Sequence, residues 1–232
     1  MLSQLRLLVL DLDYLFYDCA ELKVRALRES LLSFADAIPP DVHLPGAADI
    51  EEAFRYSGFR WPQALQIGLD ERHLTELQSA YRIYEERLVA AGAGRIFQHL
   101  PAFLSFCRKN NLVAAIGGEA SRDYLLAVSD HHNLDHFFEL AYCVEEFGMG
   151  GTDEMIDEIM CRAEVNPSET VVLGTRPDFF RAARNRDILT IGCGWGLRRH
   201  EALGEADFQA VTVVQACEAL EKADALARQY LG

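Results

Sequence analysis

"LLVLDLDYLFYD", residues 7–18, begins as an unbroken apolar run and ends among three carboxylates, Asp11, Asp13 and Asp18. Apolar at every position rather than at alternate ones, such a run suits a strand covered on both faces, as in a parallel sheet between helices. In an open parallel sheet, ligands gather beyond the carboxyl ends of the strands, where Asp11 and Asp13 fall. Two carboxylates about 4 Å apart repel by roughly 4 kcal/mol at an effective dielectric of 20. The pair therefore calls for a cation.

Similar short apolar runs occupy 112–117, 170–174, 188–192 and 210–214, with a weaker one at 140–144, and the segments between them have helical period. That order predicts a doubly wound α/β parallel sheet of Rossmann-like type. About a hundred residues separate the first strand from the second, far more than one crossover helix needs. Within them, 21–37, 49–58 and 70–92 have helical spacing, with Asp49 and Asp70 placed as N-caps and Gly58 and Gly92 as stops. The loop "IPPDVHLPGA" (38–47) divides them. The expected organisation is a core of 1–16 and 95–232 with an inserted α-helical cap at 17–94.

The chain has 232 residues, half of them hydrophobic, and a formal charge of -14. This acidity argues against a nucleic-acid partner, which normally meets a basic face. No segment approaches the roughly 20 apolar residues of a membrane span, and the opening run is too short and too soon charged for a signal peptide. Six cysteines stand singly, without a Cys-x-x-Cys pair, as expected of reduced thiols in the cytoplasm.

The succession of "DLDYLFYD", a helical insertion, "AAIGGEASR", "YCVEEFGMGGTDEMIDEIM", "VVLGTRPDFFRAARNRDI" and "TIGCGWGLRRHEAL" resembles the haloacid dehalogenase (HAD) superfamily over essentially the whole chain. The similarity is to its helical-cap phosphatases, of phosphoglycolate phosphatase type. The resemblance implies that Asp11 is the nucleophile toward a phosphoryl group and Asp13 the general acid and base. It also implies a Mg2+ ion held by Asp11, the backbone carbonyl of Asp13 and an acid of the fourth motif, for which Asp178 is the candidate. The implied ligand is a small anionic or phosphorylated metabolite.

Measured against that family, several positions depart. Gly117 stands where a Ser or Thr hydroxyl binds the phosphoryl group, Gly151 where a Lys is expected, Thr175 at the first acid of the fourth motif, and Leu15 at a usual Thr or Val. Each positioned donor is worth about 10²–10³ in rate, so these losses predict weak or lost hydrolysis. Arg176, Ser121 and Asp178 could compensate, or could serve ordinary loop and cap chemistry. Gly117, Gly118, Gly150 and Gly151 would leave an open floor whose N–H groups accept an anion, with Thr175 and Arg176 beside it. Two functions thus compete: a phosphatase-type hydrolase with little activity left, and a non-catalytic binding or regulatory protein holding a small anion or partner in the core–cap cleft. A specialised enzyme whose substrate brings its own charge is a third.

Three further segments have plain structural readings. His132 and His136 in "SDHHNLDHFF" have metal-ligand spacing but suit a solvated helix end. "GCGWG" (192–196) reads as a turn, and the aromatic residues of "GFRWPQAL" (58–65) as cap packing.

Overall fold

A computed structural model describes residues 2–39, 42–57, 60–197 and 201–230. Strand β1 (Leu7–Asp11) runs into a tight loop, then β2 (Tyr17–Asp18), followed by helices α1 (Ala20–Leu32), α2 (Ala47–Ser57), α3 (Trp61–Ala64) and α4 (Glu71–Ala90). Strand β3 (Arg95–Ile96) closes this insertion by pairing antiparallel with β2. The remainder alternates: α5 (Leu100–Lys109), β4 (Val113–Gly118), α6 (Arg122–His132), β5 (Leu140–Cys143), α7 (Gly151–Ala163), β6 (Thr170–Gly174), α8 (Pro177–Arg184), β7 (Leu189–Cys193), β8 (Phe208–Ala210) and α9 (Val213–Tyr230).

Six strands form one parallel sheet in the order β5-β4-β1-β6-β7-β8. The all-apolar run explains why β1 is central. Leu7 and Val9 pack with Met155, Ile159 and Phe179 under α7 and α8, whereas Leu8 and Leu10 join Phe103, Leu220 and Ala223 under α5 and α9. Chain order reverses across β1, with β4 on one side and β6 on the other, which opens a crevice at their carboxyl ends. In register, Asp11 lies opposite Gly117 and Leu10 opposite Leu173. The start of the chain is held from afar: the buried Asp224 carboxylate on α9 accepts the backbone N–H groups of Ser3, Gln4 and Leu5 at 3.0, 2.7 and 2.9 Å.

Most expected elements form within a residue or two of the sequence reading, with three informative differences. The run 210–214 divides: β8 ends at Ala210, and the β-branched residues after it begin α9, with Val214 67% exposed and the Thr212 hydroxyl accepting from Gln215 N. Asp49 is not an N-cap; α2 starts at Ala47, and Asp49 in its first turn accepts from Gly46 N at 2.9 Å. Helix α1 stops at Leu32, short of 37. Asp70 does cap α4, accepting from His73 N at 2.8 Å, and Gly92 follows that helix with φ +80°. The stop expected at Gly58 lies outside the described residues.

Candidate active site

The β1 strand delivers Asp11 to the crevice, and the loop after it turns back sharply, with Tyr17 N and Phe16 N both donating to Leu12 O and Tyr14 at φ +62°. A distant turn braces this loop. Trp195 Nε1 donates to Leu15 O at 2.8 Å, and Gly196 lies so close against the Tyr14 carbonyl that no side chain fits there. Of "GCGWG", read as a turn, Gly192 and Cys193 end β7 and only Trp195 and Gly196 turn, shaping the loop that carries Asp13.

Asp11 is 1% exposed. Its Oδ2 accepts from Thr175 Oγ1 at 3.2 Å and from Arg176 Nε at 3.3 Å, both residues lying just beyond β6. Burial pushes its pKa up to about 6, against the opposing pull of Arg176. The Arg176 side chain, 4% exposed, also places Nη1 3.2 Å from Asp178 Oδ2 and against Glu119 of the loop after β4. Burial would lower the guanidinium pKa, but Asp178 and Asp11 outweigh it and hold it above its ordinary value. One guanidinium therefore gathers acids from the ends of β1, β4 and β6.

Asp13 has a different set of partners. Its Oδ1 accepts from Tyr124 Oη at 2.8 Å, and its Oδ2 lies 2.9 Å from Lys23 Nζ, which arrives from α1 of the helical insertion. Lys23 also meets Glu85 Oε1 of α4 at 2.9 Å, and Tyr81 Oη donates to that same oxygen at 2.5 Å. The ammonium lies 5.0 Å from the Phe54 ring centroid and 5.1 Å from that of Tyr124. Burial disfavours its charge, but Asp13 and Glu85 overcome this and raise its pKa; burial likewise raises Glu85, against Lys23. Lys23, Glu85, Tyr81, Tyr124 and Glu119 were not singled out from the sequence.

Asp11, Asp13, Lys23, Glu85, Glu119 and Arg176 line a cavity of about 60 Å³ between sheet and helical insertion, walled by Phe54, Trp61 and Tyr81. Those three rings pack with centroids 4.8 to 5.0 Å apart, so the "RWPQAL" aromatic serves packing and also faces the site. The volume admits a few waters and falls well short of the roughly 300–1,000 Å³ typical of small-molecule clefts.

The expected open glycine floor is not there. Gly117 and Gly118 are buried and do not line the cavity, and a Cβ on Gly117 would stand 2.8 Å from Met155 Cε. Met155 of α7 thus fills the space that a Ser or Thr there would use. Gly151, at φ +50°, opens α7. Ser121 performs ordinary capping, its Oγ accepting from Tyr124 N, while also lining the cavity. His131 and His132 close α6 at a left-handed Asn133. The donor set fits Mg2+ poorly: Asp11 and Asp178 both face Arg176, Asp13 faces Lys23, and among the described residues no group of three or more His, Cys, Asp or Glu side chains is placed to hold a metal ion.

The same architecture occurs in solved structures. A hydrolase of the haloacid dehalogenase-like family from Streptococcus pneumoniae superposes with a TM-score of 0.76 at 16% identity, covering 93% of this chain and 98% of that one. The chain has the fold of the haloacid dehalogenase-like phosphatases. A predicted phosphoglycolate phosphatase from Haemophilus somnus 129PT superposes with a TM-score of 0.77 and 11% identity, over 94% of this chain and 99% of that one. CbbY from Rhodobacter sphaeroides, crystallised with phosphate, gives 0.71 and 15% over 90% and 95%. No family model matches this sequence, and no curated protein does.

Proposed function

We propose that this chain is a phosphatase-type HAD-like protein in which phosphomonoester hydrolysis is greatly weakened or lost, and that its cleft, between a core of 1–16 and 95–232 and a helical cap of 17–94, takes a small anionic or phosphorylated metabolite. The observation that carries this reading is Met155 packed against Gly117: the hydroxyl that would receive the phosphoryl group is missing, and the room for it is filled. Asp11 remains the nucleophile and Asp13 the proton donor and acceptor of whatever turnover persists. Both work under restraint. Asp11 must attack with its Oδ2 engaged by Thr175 and Arg176, and Asp13 must give up Lys23 or Tyr124 to serve a leaving oxygen. The cavity lining, with four acids against Lys23, Arg82 and Arg176, offers a dianion little net attraction while the cap is shut. The phosphate bound by CbbY supports the ligand class. The six free cysteines suit a reducing compartment such as the cytoplasm, and no helix among the described residues is long and apolar enough to cross a membrane.

Hydrolysis of a generic aryl phosphate, comparing the protein with Asp11→Asn, tests the proposal. The expected result is turnover close to background, and any remainder should disappear in the variant. An Asp11-dependent rate of about 1 s⁻¹ or more, ordinary for an enzyme, would refute it. A second reading, a purely binding or regulatory protein, is favoured by the Lys23 contact that closes the cleft. It predicts a ligand-induced rise in melting temperature with no turnover at all.

A further inference from the structure

We infer that the Arg176 guanidinium is a built-in replacement for the divalent ion of this fold, so that the protein as it stands has no Mg2+ site at Asp11, and removing the guanidinium uncovers one. This deepens the functional reading above, because it concerns the same cleft, but it does not depend on whether hydrolysis survives. Three carboxylates, from the end of β1, the loop after β4 and the first turn of α8, converge on one cation: Asp11 on Nε, and Asp178 and Glu119 on Nη1. As they stand the acids are held on the guanidinium, and among the described residues no three are placed around an ion; without it they are free to turn toward one. The guanidinium cannot be discharged at any ordinary pH, and at 4% exposure it has little access to water. An entering ion would have to expel a buried positive charge from its counter-ions, which is far costlier than displacing water. Nη2, also buried, has no hydrogen-bond partner. It leaves an N–H donor for a ligand oxygen, so the electrostatic work of the ion can be done without one.

Mn2+ binding followed by electron paramagnetic resonance separates the possibilities, using the full-length protein, Asp11→Asn, Arg176→Ala, and Arg176→Ala combined with Asp11→Asn. An acidic chain will collect weak surface ions, so only an Asp11-dependent site counts. The expected outcome is no such site in the wild type, and in Arg176→Ala one site at least about tenfold tighter than the surface background, abolished in the double variant. The idea is overturned if wild-type protein already shows a site that Asp11→Asn removes, or if folded Arg176→Ala gains none. Should Arg176→Ala fail to fold by circular dichroism, Arg176→Gln, which keeps most of the side chain volume, is judged by the same two outcomes. Vigorous aryl phosphate hydrolysis without metal would defeat the functional proposal while leaving this one standing.

Discussion

Asp11 ends β1 and Asp13 follows two residues later, yet their charges are balanced by different parts of the chain. Asp11 is answered by Arg176 within the sheet domain, through contacts that need no other part of the chain. Asp13 is answered by Lys23, which belongs to the helical insertion and shares its ammonium with Glu85 there. The first balance persists whatever the insertion does. The second depends on where the insertion sits, since Lys23 and its other partner Glu85 both belong to it. A single DxD motif thus combines a permanent ion pair with a conditional one.

The largest expected effect comes from breaking the conditional pair. Lys23→Met strands the nearly buried Asp13 and Glu85 without a cation and should cost about 3–5 kcal/mol in chemical denaturation. A cost under about 1 kcal/mol would mean that the insertion is not closed in solution. Arg176→Ala should cost less, about 2–3 kcal/mol, because Glu119 and Asp178 have side chains 17% and 34% exposed and can turn to water, while Asp11 can take up a proton.

Asp11→Asn addresses the permanent pair through pH. The native pKa of about 6 lies above the 3.8 of an ordinary aspartate, so the folded state holds this proton more tightly than the unfolded state. Its contribution to stability is therefore full at low pH and is lost as pH rises through about 6. The variant should flatten the stability profile between pH 4 and 7 by about 2 kcal/mol, and an unchanged profile would show that Arg176 fully offsets burial. Gly117→Ala should be the mildest, about 1 kcal/mol, since the contact is with the flexible end of Met155. A cost of several kcal/mol would mean that Met155 cannot yield and that the hydroxyl's place is rigidly filled.

The sheet was legible because its strands are short, apolar and bounded by turn residues, and periodicity reports burial directly. It misled at "VTVV" (211–214), where β-branched residues start a surface helix whose cap and packing outweigh their strand preference. The two aspartates were legible from their place at a strand end, and Arg176 from its loop. The partners of Asp13 were not, because Lys23 stands inside a helix of the insertion and Tyr124 inside α6, where nothing local marks a polar side chain as turned toward the strand end. A signal did exist: Glu85 interrupts the buried stripe Leu74, Leu77, Tyr81, Leu88 of α4, and Lys23 stands four residues before Leu27 on the buried face of α1. Opposite charges on the inner faces of two helices ask for each other. The filling of the Gly117 position could not be read, since a glycine says nothing about which neighbour uses the space it vacates.

The carboxylate of Asp224 that gathers the N–H groups of Ser3, Gln4 and Leu5 also has a consequence during synthesis. The segment leading into the central strand leaves the ribosome well before the group that fastens it, which lies some 220 residues further along. Until then, the apolar run of β1 waits without the carboxylate that secures the backbone ahead of it.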